Sequence, residues 1–211
     1  MLTRYPGFDV TEHAGAWDPH TRAVVLKRFE PPQAPSHLSK EEAAALESAL
    51  SCLLGEERGE LLAFVVAHFD QKLGSKVGEG QRKAGVPPFP DLLRHGLAAL
   101  DALAGARCGG GFADCTAEEQ RAILSDLQFD SAGEVPEAAT LPQKEFFQQL
   151  LGTAVEAYAS HPAVWSEIGY AGPAYPRGYY RIERGLADPW EPRAERGCQD
   201  AGDDEVHERS L

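Results

Sequence analysis

Apolar residues recur at helical spacing in separate segments of this chain, and this periodicity is the feature that most constrains its fold. Two of the segments open with a capping box, in which Ser39 precedes Glu42 and Thr116 precedes Glu119 by three residues. No segment shows a convincing alternation of apolar and polar residues, which is the pattern of a half-buried strand. The sequence therefore predicts an all-α fold, an irregular bundle of about five helices that is followed by a long aromatic loop rich in Pro and Gly.

The helix boundaries follow from caps, prolines and the ends of the apolar stripes. Asp91 is predicted to cap the third helix, and Pro142 suits the first turn of the fifth. Pro162 is predicted to end that fifth helix, which should be the longest. The five predicted helices cover about residues 39–55, 59–73, 91–104, 116–127 and 142–160.

Composition divides the chain into three regions. Residues 1–36 are predicted to be an N-terminal arm and linker, because three prolines between residues 31 and 35 favour extended backbone. Residues 37–190 hold all the helical patterns and the aromatic loop, and they are predicted to form the helical domain. Residues 191–211 are polar, acidic and almost free of large apolar side chains, which predicts a disordered tail.

The net charge of −13 argues against nucleic acid and anionic membranes as partners, since both repel an acidic surface. No apolar run approaches the roughly 20 residues that span a bilayer, so direct membrane insertion is not expected. The N-terminus has neither a basic region followed by an apolar core nor a twin-arginine pair. These features predict a cytoplasmic protein, unless a partner carries the chain out to the periplasm or a membrane surface.

The four cysteines show no Cys-x-x-Cys spacing, which argues against a zinc ribbon or covalently attached haem. Cys52 falls on an apolar helical face and is expected to be a small core residue. Cys108 and Cys115 flank three glycines and can lie close together. In a reducing cytoplasm we expect both to remain thiols.

No motif of a self-contained active site is present. The sequence lacks a helical Glu-x-x-His pair, a Gly-x-Ser-x-Gly turn and a His-Glu-x-x-His segment. We therefore assign no catalytic, cofactor-binding or metal-binding residue. The alternative, a helical enzyme of unknown class, would need a pocket in which groups such as His68, His95 and Glu167 converge.

Residues 158–182 hold five of the six tyrosines, interrupted by glycines and prolines that break regular structure. Aromatic side chains with polar tips, together with arginine, dominate binding hot spots. The segment is either a docking surface for another protein or a loop that covers the chain's own helical core. The candidate partner interface consists of Trp165, Tyr170, Tyr175, Arg177, Tyr179, Tyr180 and Arg181.

Several short motifs are spread over roughly residues 17–190. They are Trp17-Asp18-x-His20-Thr21-Arg22, Leu38-Ser39-x-Glu41-Glu42, Gly78-Glu79-Gly80-x-Arg82 with Pro87-Pro88, Gly96-Leu97-x-Ala99-Leu100-Asp101, Phe146-Phe147-x-x-Leu150, and His161-Pro162-x-x-Trp165-x-Glu167-Ile168-Gly169-Tyr170-x-Gly172-Pro173-Ala174-Tyr175-Pro176-Arg177-Gly178-Tyr179. The closing run from His161 to Tyr179 is the longest and the most unusual in composition. Together these motifs resemble the gluconate 2-dehydrogenase subunit 3 family.

The resemblance implies a non-catalytic accessory subunit of an oxidoreductase complex that acts on a sugar or sugar acid. It implies a large partner of the glucose–methanol–choline class, which carries the FAD, and a cytochrome c subunit as a second candidate partner. A related alternative is a chaperone that holds a flavoprotein only while it folds. The chain lacks the twin-arginine leader that is frequent in the family, so export of the complex is left open.

Overall fold

A computed structural model describes residues 3–75, 80–179, 181 and 187–194. Throughout these residues the chain forms helices, turns and irregular segments, without any strand, and the all-α prediction is confirmed. Two compact units are present. The helical unit comprises residues 31–159, and the terminal unit comprises residues 1–30 and 160–211. These boundaries differ from those expected from composition, because residues 1–30 group with the C-terminal segment.

The helices are short to medium in length. Among the described residues, three 3-10 helices supplement the α-helices, namely Val10–Ala16, Lys27–Phe29 and Phe112–Asp114. In chain order the α-helices of the described residues are α1 (Pro19–Leu26), α2 (Lys40–Leu54), α3 (Gly59–Gly74), α4 (Phe89–Arg107), α5 (Ala117–Gln128), α6 (Pro136–Thr140), α7 (Gln143–Tyr158) and α8 (Pro162–Ile168).

The five predicted helices correspond to α2, α3, α4, α5 and α7. Both capping boxes are formed. The Ser39 hydroxyl accepts from the Glu42 N–H at 3.1 Å, while the Glu42 carboxylate accepts from the Ser39 N–H at 2.8 Å. The Thr116 box is built in the same way. Because each box satisfies two otherwise unpaired donors, these helix starts are set by local sequence.

Four predictions about helix ends and helix length need correction. Helix α4 begins at Phe89 after Pro88, so Asp91 lies in its first turn and does not cap it. The longest helix described is α4 and not α7. Pro142 is the N-cap of α7 and lies outside it. Pro162 begins α8, since proline tolerates the first turn, where no backbone N–H is needed. Helices α1, α6 and α8 have eight residues or fewer, too few to show an apolar repeat.

Helix α4 runs through the core of the helical unit and packs against α2, α6 and α7. Its buried face carries Leu92, Leu93, Leu97, Leu100 and Leu103. At Gly96 an added Cβ would lie 1.9 Å from the Phe146 ring, so only glycine lets this ring of α7 cross α4.

Asp70, near the end of α3, holds the segment that leads into α2. Its carboxylate accepts hydrogen bonds from the backbone N–H groups of Ser36, His37 and Leu38 at 2.7–2.9 Å. Burial alone would raise the pKa of Asp70, but these donors outweigh it and hold the pKa well below its usual range. A single buried carboxylate therefore fixes the start of α2 relative to α3.

We expect Asp70→Asn to lower the free energy of unfolding by about 2–3 kcal/mol, because its amide NH2 would face backbone N–H donors and leave them unsatisfied. Urea denaturation followed by far-UV circular dichroism measures the change. Glu47→Gln, an isosteric change of an exposed carboxylate on α2, is the matched control and should shift stability by less than about 0.5 kcal/mol. Equal stability of the two variants would contradict the stabilising role of the Asp70 hydrogen bonds.

Glu56 forms a second polar link within the helical unit. Its carboxylate accepts from the Arg58 guanidinium at 2.6 Å and from the Tyr158 hydroxyl at 2.7 Å. It also accepts from the backbone N–H groups of Glu57 and Arg58 at the start of α3. The Arg58 hydrogen bonds are the main reason that the pKa of Glu56 falls to about 2. The connection between α2 and α3 is thereby tied to the end of α7.

Because the folded-state pKa of Glu56 is depressed, its stabilisation should be fully present above about pH 4.5 and lost as the pH falls towards 2. We expect Glu56→Gln to lose at most about 3 kcal/mol at pH 7 and progressively less below pH 4.5. Thermal unfolding from pH 2 to pH 7 measures this, with Glu57→Gln at the exposed neighbour as control. A loss that is constant across this pH range would refute the assignment.

Candidate functional site

The terminal unit has a small core of its own, formed by Val10, Ala14, Trp17, Val25 and Trp165. These residues come from the 3-10 helix Val10–Ala16, from α1 and from α8, with Trp17 between the first two. Trp165 is only 7% exposed. It therefore serves as a core residue of this unit and is not part of an exposed surface, in contrast to its place in the predicted interface.

His161 and Arg28 fix the start of α8. The His161 Nδ1 atom accepts the Ala163 N–H at 3.2 Å, so its Nε2 carries the hydrogen and donates to the Arg28 carbonyl at 2.9 Å. The Arg28 guanidinium donates to the Ser160 carbonyl and lies 5.4 Å from the centre of the Trp165 ring. Burial lowers the pKa of Arg28. His161 is thus the N-cap of α8.

Two glycines shape the chain after α8. Gly169 ends that helix with φ +75°, and an added Cβ would lie 2.4 Å from the Tyr5 ring. Gly172 has φ +80°, and an added Cβ would lie 2.6 Å from the Trp17 ring. A side chain at either position would meet both backbone strain and an aromatic ring.

Three tyrosines of the predicted interface face solvent, namely Tyr170, Tyr175 and Tyr179, with exposed fractions of 41%, 71% and 47%. We refer to them as the exposed tyrosines. The Tyr170 ring stands edge-on to the buried Trp165 ring, with centroids 5.1 Å apart. Large aromatic side chains are thus presented to solvent from a segment that is anchored in the core of the terminal unit.

Arg177 stabilises the segment that carries the exposed tyrosines, residues 170–179, through contacts on its buried side. One of its amino groups donates to the Ala171 carbonyl at 2.6 Å, and its guanidinium lies 4.8 Å from the centre of the Trp190 ring. Burial lowers the pKa of Arg177 despite nearby acidic groups. The aromatic partner of Arg177 is Trp190, which lies outside the run of tyrosines.

Asp188 supports the same segment, and no pattern in the sequence points to this role. Its side chain is buried and accepts the Arg181 backbone N–H at 3.2 Å, while its own N–H donates to the Glu191 carboxylate at 2.6 Å. The Arg181 side chain is exposed and donates to the Ala187 carbonyl at 3.0 Å. Tyr180 lies outside the described residues, as does most of the predicted tail, from residue 195 onward.

The groups suggested for an independent active site are dispersed over separate helices. His68 on α3 faces Lys72 and Glu156, and burial lowers its pKa. His95 is exposed on α4, and Glu167 belongs to α8 in the terminal unit. One surface depression of about 360 Å³ is lined by Gly80 and residues 82–86, and another of about 410 Å³ is lined mainly by α2, with Leu62, Ala113 and Gln120. Their lining residues include neither histidine nor tyrosine.

Cys108 and Cys115 are joined by a disulfide, with Cα atoms 5.9 Å apart. This corrects the expectation that both remain thiols. Their sulfur atoms and a Glu119 carboxylate oxygen lie within 4.8 Å of one another, a grouping that could hold a metal ion if the cysteines were reduced. Cys52 is a free, half-buried thiol on α2.

Within the described residues, every helix is too short or too polar to cross a membrane. In the part of the chain that the structure describes, the fold is all-α, and exposed aromatic side chains follow α8. The chain belongs to the gluconate 2-dehydrogenase subunit 3 family, whose profile matches residues 40–172. The match extends from α2 to Gly172, so Tyr170 falls inside it, and Tyr175, Arg177 and Tyr179 follow it. Comparisons with curated proteins and with solved structures give no significant match.

The glycine turn that follows α8 can be tested by two alanine substitutions. Gly172→Ala should lower the free energy of unfolding by about 2–4 kcal/mol, from positive φ together with the clash against Trp17. Gly178→Ala is the matched control, because Gly178 has φ +70° but open space around its Cβ. It should cost only about 1–2 kcal/mol. Tryptophan fluorescence during denaturation measures both, and equal losses would refute the packing role of Gly172.

Proposed function

We propose that this chain is a non-catalytic small subunit that binds and stabilises a large FAD-dependent dehydrogenase of the glucose–methanol–choline class. The substrate of the complex would be a sugar or sugar acid, and a cytochrome c or another acceptor would take the electrons. The FAD would be held by the partner, and this chain would supply surface and stability. Membership of the subunit 3 family supports the accessory role.

The observation that carries the docking role is the exposure of the three tyrosines. Each tyrosine buries about 150–250 Å² in a packed site and still offers a hydroxyl for a hydrogen bond, so leaving three in water forgoes a favourable burial. Contact with a partner surface would bury these side chains and recover that free energy. Since a stable interface buries about 800 Å² on each side, the tyrosines would form its centre and neighbouring residues its rim.

The anchoring of this segment adds to its suitability for binding. Arg177 is fixed by Ala171 and Trp190, and Tyr170 is fixed by Trp165, so their geometry exists before a partner arrives. A surface that is already ordered loses less conformational entropy on association, and more of the contact energy remains as affinity.

The test is co-purification of the tagged full-length chain from the cells that make it. We expect a stoichiometric large subunit with the absorbance of oxidised flavin, identified by peptide mass spectrometry as a glucose–methanol–choline oxidoreductase. Tyr175→Ala combined with Tyr179→Ala should reduce the recovered flavin at least tenfold, as loss of two central contacts would. Thermal unfolding of the isolated variant should stay close to that of the parent chain, since Tyr175 is 71% exposed and Tyr179 is 47% exposed.

Phe129→Ala is the matched control, because Phe129 is a 72% exposed aromatic residue at the end of α5, in the other unit. This variant should retain the flavoprotein. If the parent chain elutes without flavin, the proposed partner is wrong. If the Phe129 variant loses the flavoprotein and the tyrosine variant retains it, the partner class stands but the surface lies on the helical unit.

A further inference from the structure

The connection between α4 and α5 places a core residue directly after a run of glycines. Residues 109–111 are three consecutive glycines, the residue type that loses most backbone entropy on folding. Gly109 has φ +76°, and an added Cβ at Gly110 would lie 3.2 Å from the Asp114 Cβ. Positive φ therefore favours glycine at Gly109, and the run of three glycines allows the unfolded loop many conformations.

Phe112 follows the glycines directly and is completely buried in the core of the helical unit. Its N–H donates to the Asp101 carboxylate at 2.9 Å, and its carbonyl accepts from the Gln120 amide at 2.9 Å. The 3-10 helix that contains Phe112 packs against α2 and α4. Phe112 is thus a large core side chain directly after three glycines, and a covalent constraint on this loop would add to the hydrogen bonds that hold it.

The two cysteines provide this constraint from either side of the loop. Cys108 ends α4 and Cys115 directly precedes the cap of α5. Their Cα separation of 5.9 Å lies in the usual range for disulfides. A bond here closes a short ring around the glycines and Phe112, and it removes open-loop conformations from the unfolded chain.

We propose that the Cys108–Cys115 disulfide is a maturation lock that secures Phe112 in the core, and that the chain therefore completes its folding where thiols are oxidised. The helical unit would form first, bring the two sulfurs together, and then be fixed by the bond. This inference concerns maturation of the chain by itself and does not depend on the proposed flavoprotein partner.

Formation of the bond requires an oxidant, and a disulfide-bearing exchange protein is the chemical class that fits. Cys108, the more accessible cysteine, would attack the donor disulfide as a thiolate and form a mixed disulfide. Cys115 would then attack the Cys108 sulfur as a thiolate and release the donor. The chain loses two protons and two electrons, and the donor gains them as a dithiol.

The first experiment counts thiols in the full-length protein, trapped with an alkylating reagent directly from lysed cells under denaturing conditions. Of the four cysteines, Cys52 and Cys198 should be tagged, and all four should be tagged only after reduction. Peptide mapping should find residues 108 and 115 in one linked species. Tagging of all four without reduction would overturn the proposal.

The second experiment measures thermal unfolding with and without reductant. Reduction should lower the Tm of the parent chain by about 5–10 °C, the effect expected for closing a loop of this size. The double variant Cys108→Ala, Cys115→Ala should start at the lower Tm and show no response to reductant. The control Cys52→Ala should retain the full response, because Cys52 is not in the bond.

A metal site is the competing use of the same groups. Elemental analysis of the protein purified without chelator should find no stoichiometric zinc. One zinc per chain, lost in the Cys108→Ala, Cys115→Ala variant, would overturn the lock and assign the sulfurs and Glu119 to a metal centre. Should the double variant fail to fold, the thiol count and the response of the parent chain to reductant still decide between the two.

Discussion

The crossing of the Phe146 ring over Gly96 is the contact on which the helical unit depends. A Cβ at Gly96 would overlap the ring, so α4 and α7 can meet at this distance only with glycine there. Through this contact α4 lies deep enough to bury its leucines against α2, α6 and α7. The hydrogen bonds to Asp70 and Glu56 then fix the connections between the helices. A buried carboxylate that lost these donors would be left without hydrogen bonds, which is energetically costly.

In the terminal unit too, a glycine allows the backbone to pass close to an aromatic ring. Gly172 lets the backbone pass against the Trp17 ring, and Trp165 fills the space beside Trp17 and Val10. This core explains why the tyrosines after α8 are presented to solvent from a braced segment. The proposed docking role draws on the exposed tyrosines, whereas the proposed disulfide lock concerns the helical unit, so the two ideas rest on separate parts of the chain.

The interface predicted from sequence was a set of neighbours along the chain, and the structure separates its members by burial. Tyr175 is largely exposed, Trp165 is buried, and Arg177 is directed inward to Ala171 and Trp190. Residue type alone could not make this distinction, because an aromatic or arginine residue suits a core, a brace or a contact surface equally well.

Local sequence determined the helical class of this protein and the starts of α2 and α5, because the capping boxes at Ser39 and Thr116 act within one helical turn. Tertiary structure alone decided the role of Gln143, whose buried side-chain amide accepts the Ala132 N–H and donates to the Ala138 carbonyl. It alone also decided the pairing of Cys108 with Cys115. It also decided that Trp165 is buried and Tyr175 exposed. These outcomes depend on which segments meet in space, and a periodic pattern along the chain carries no information about that.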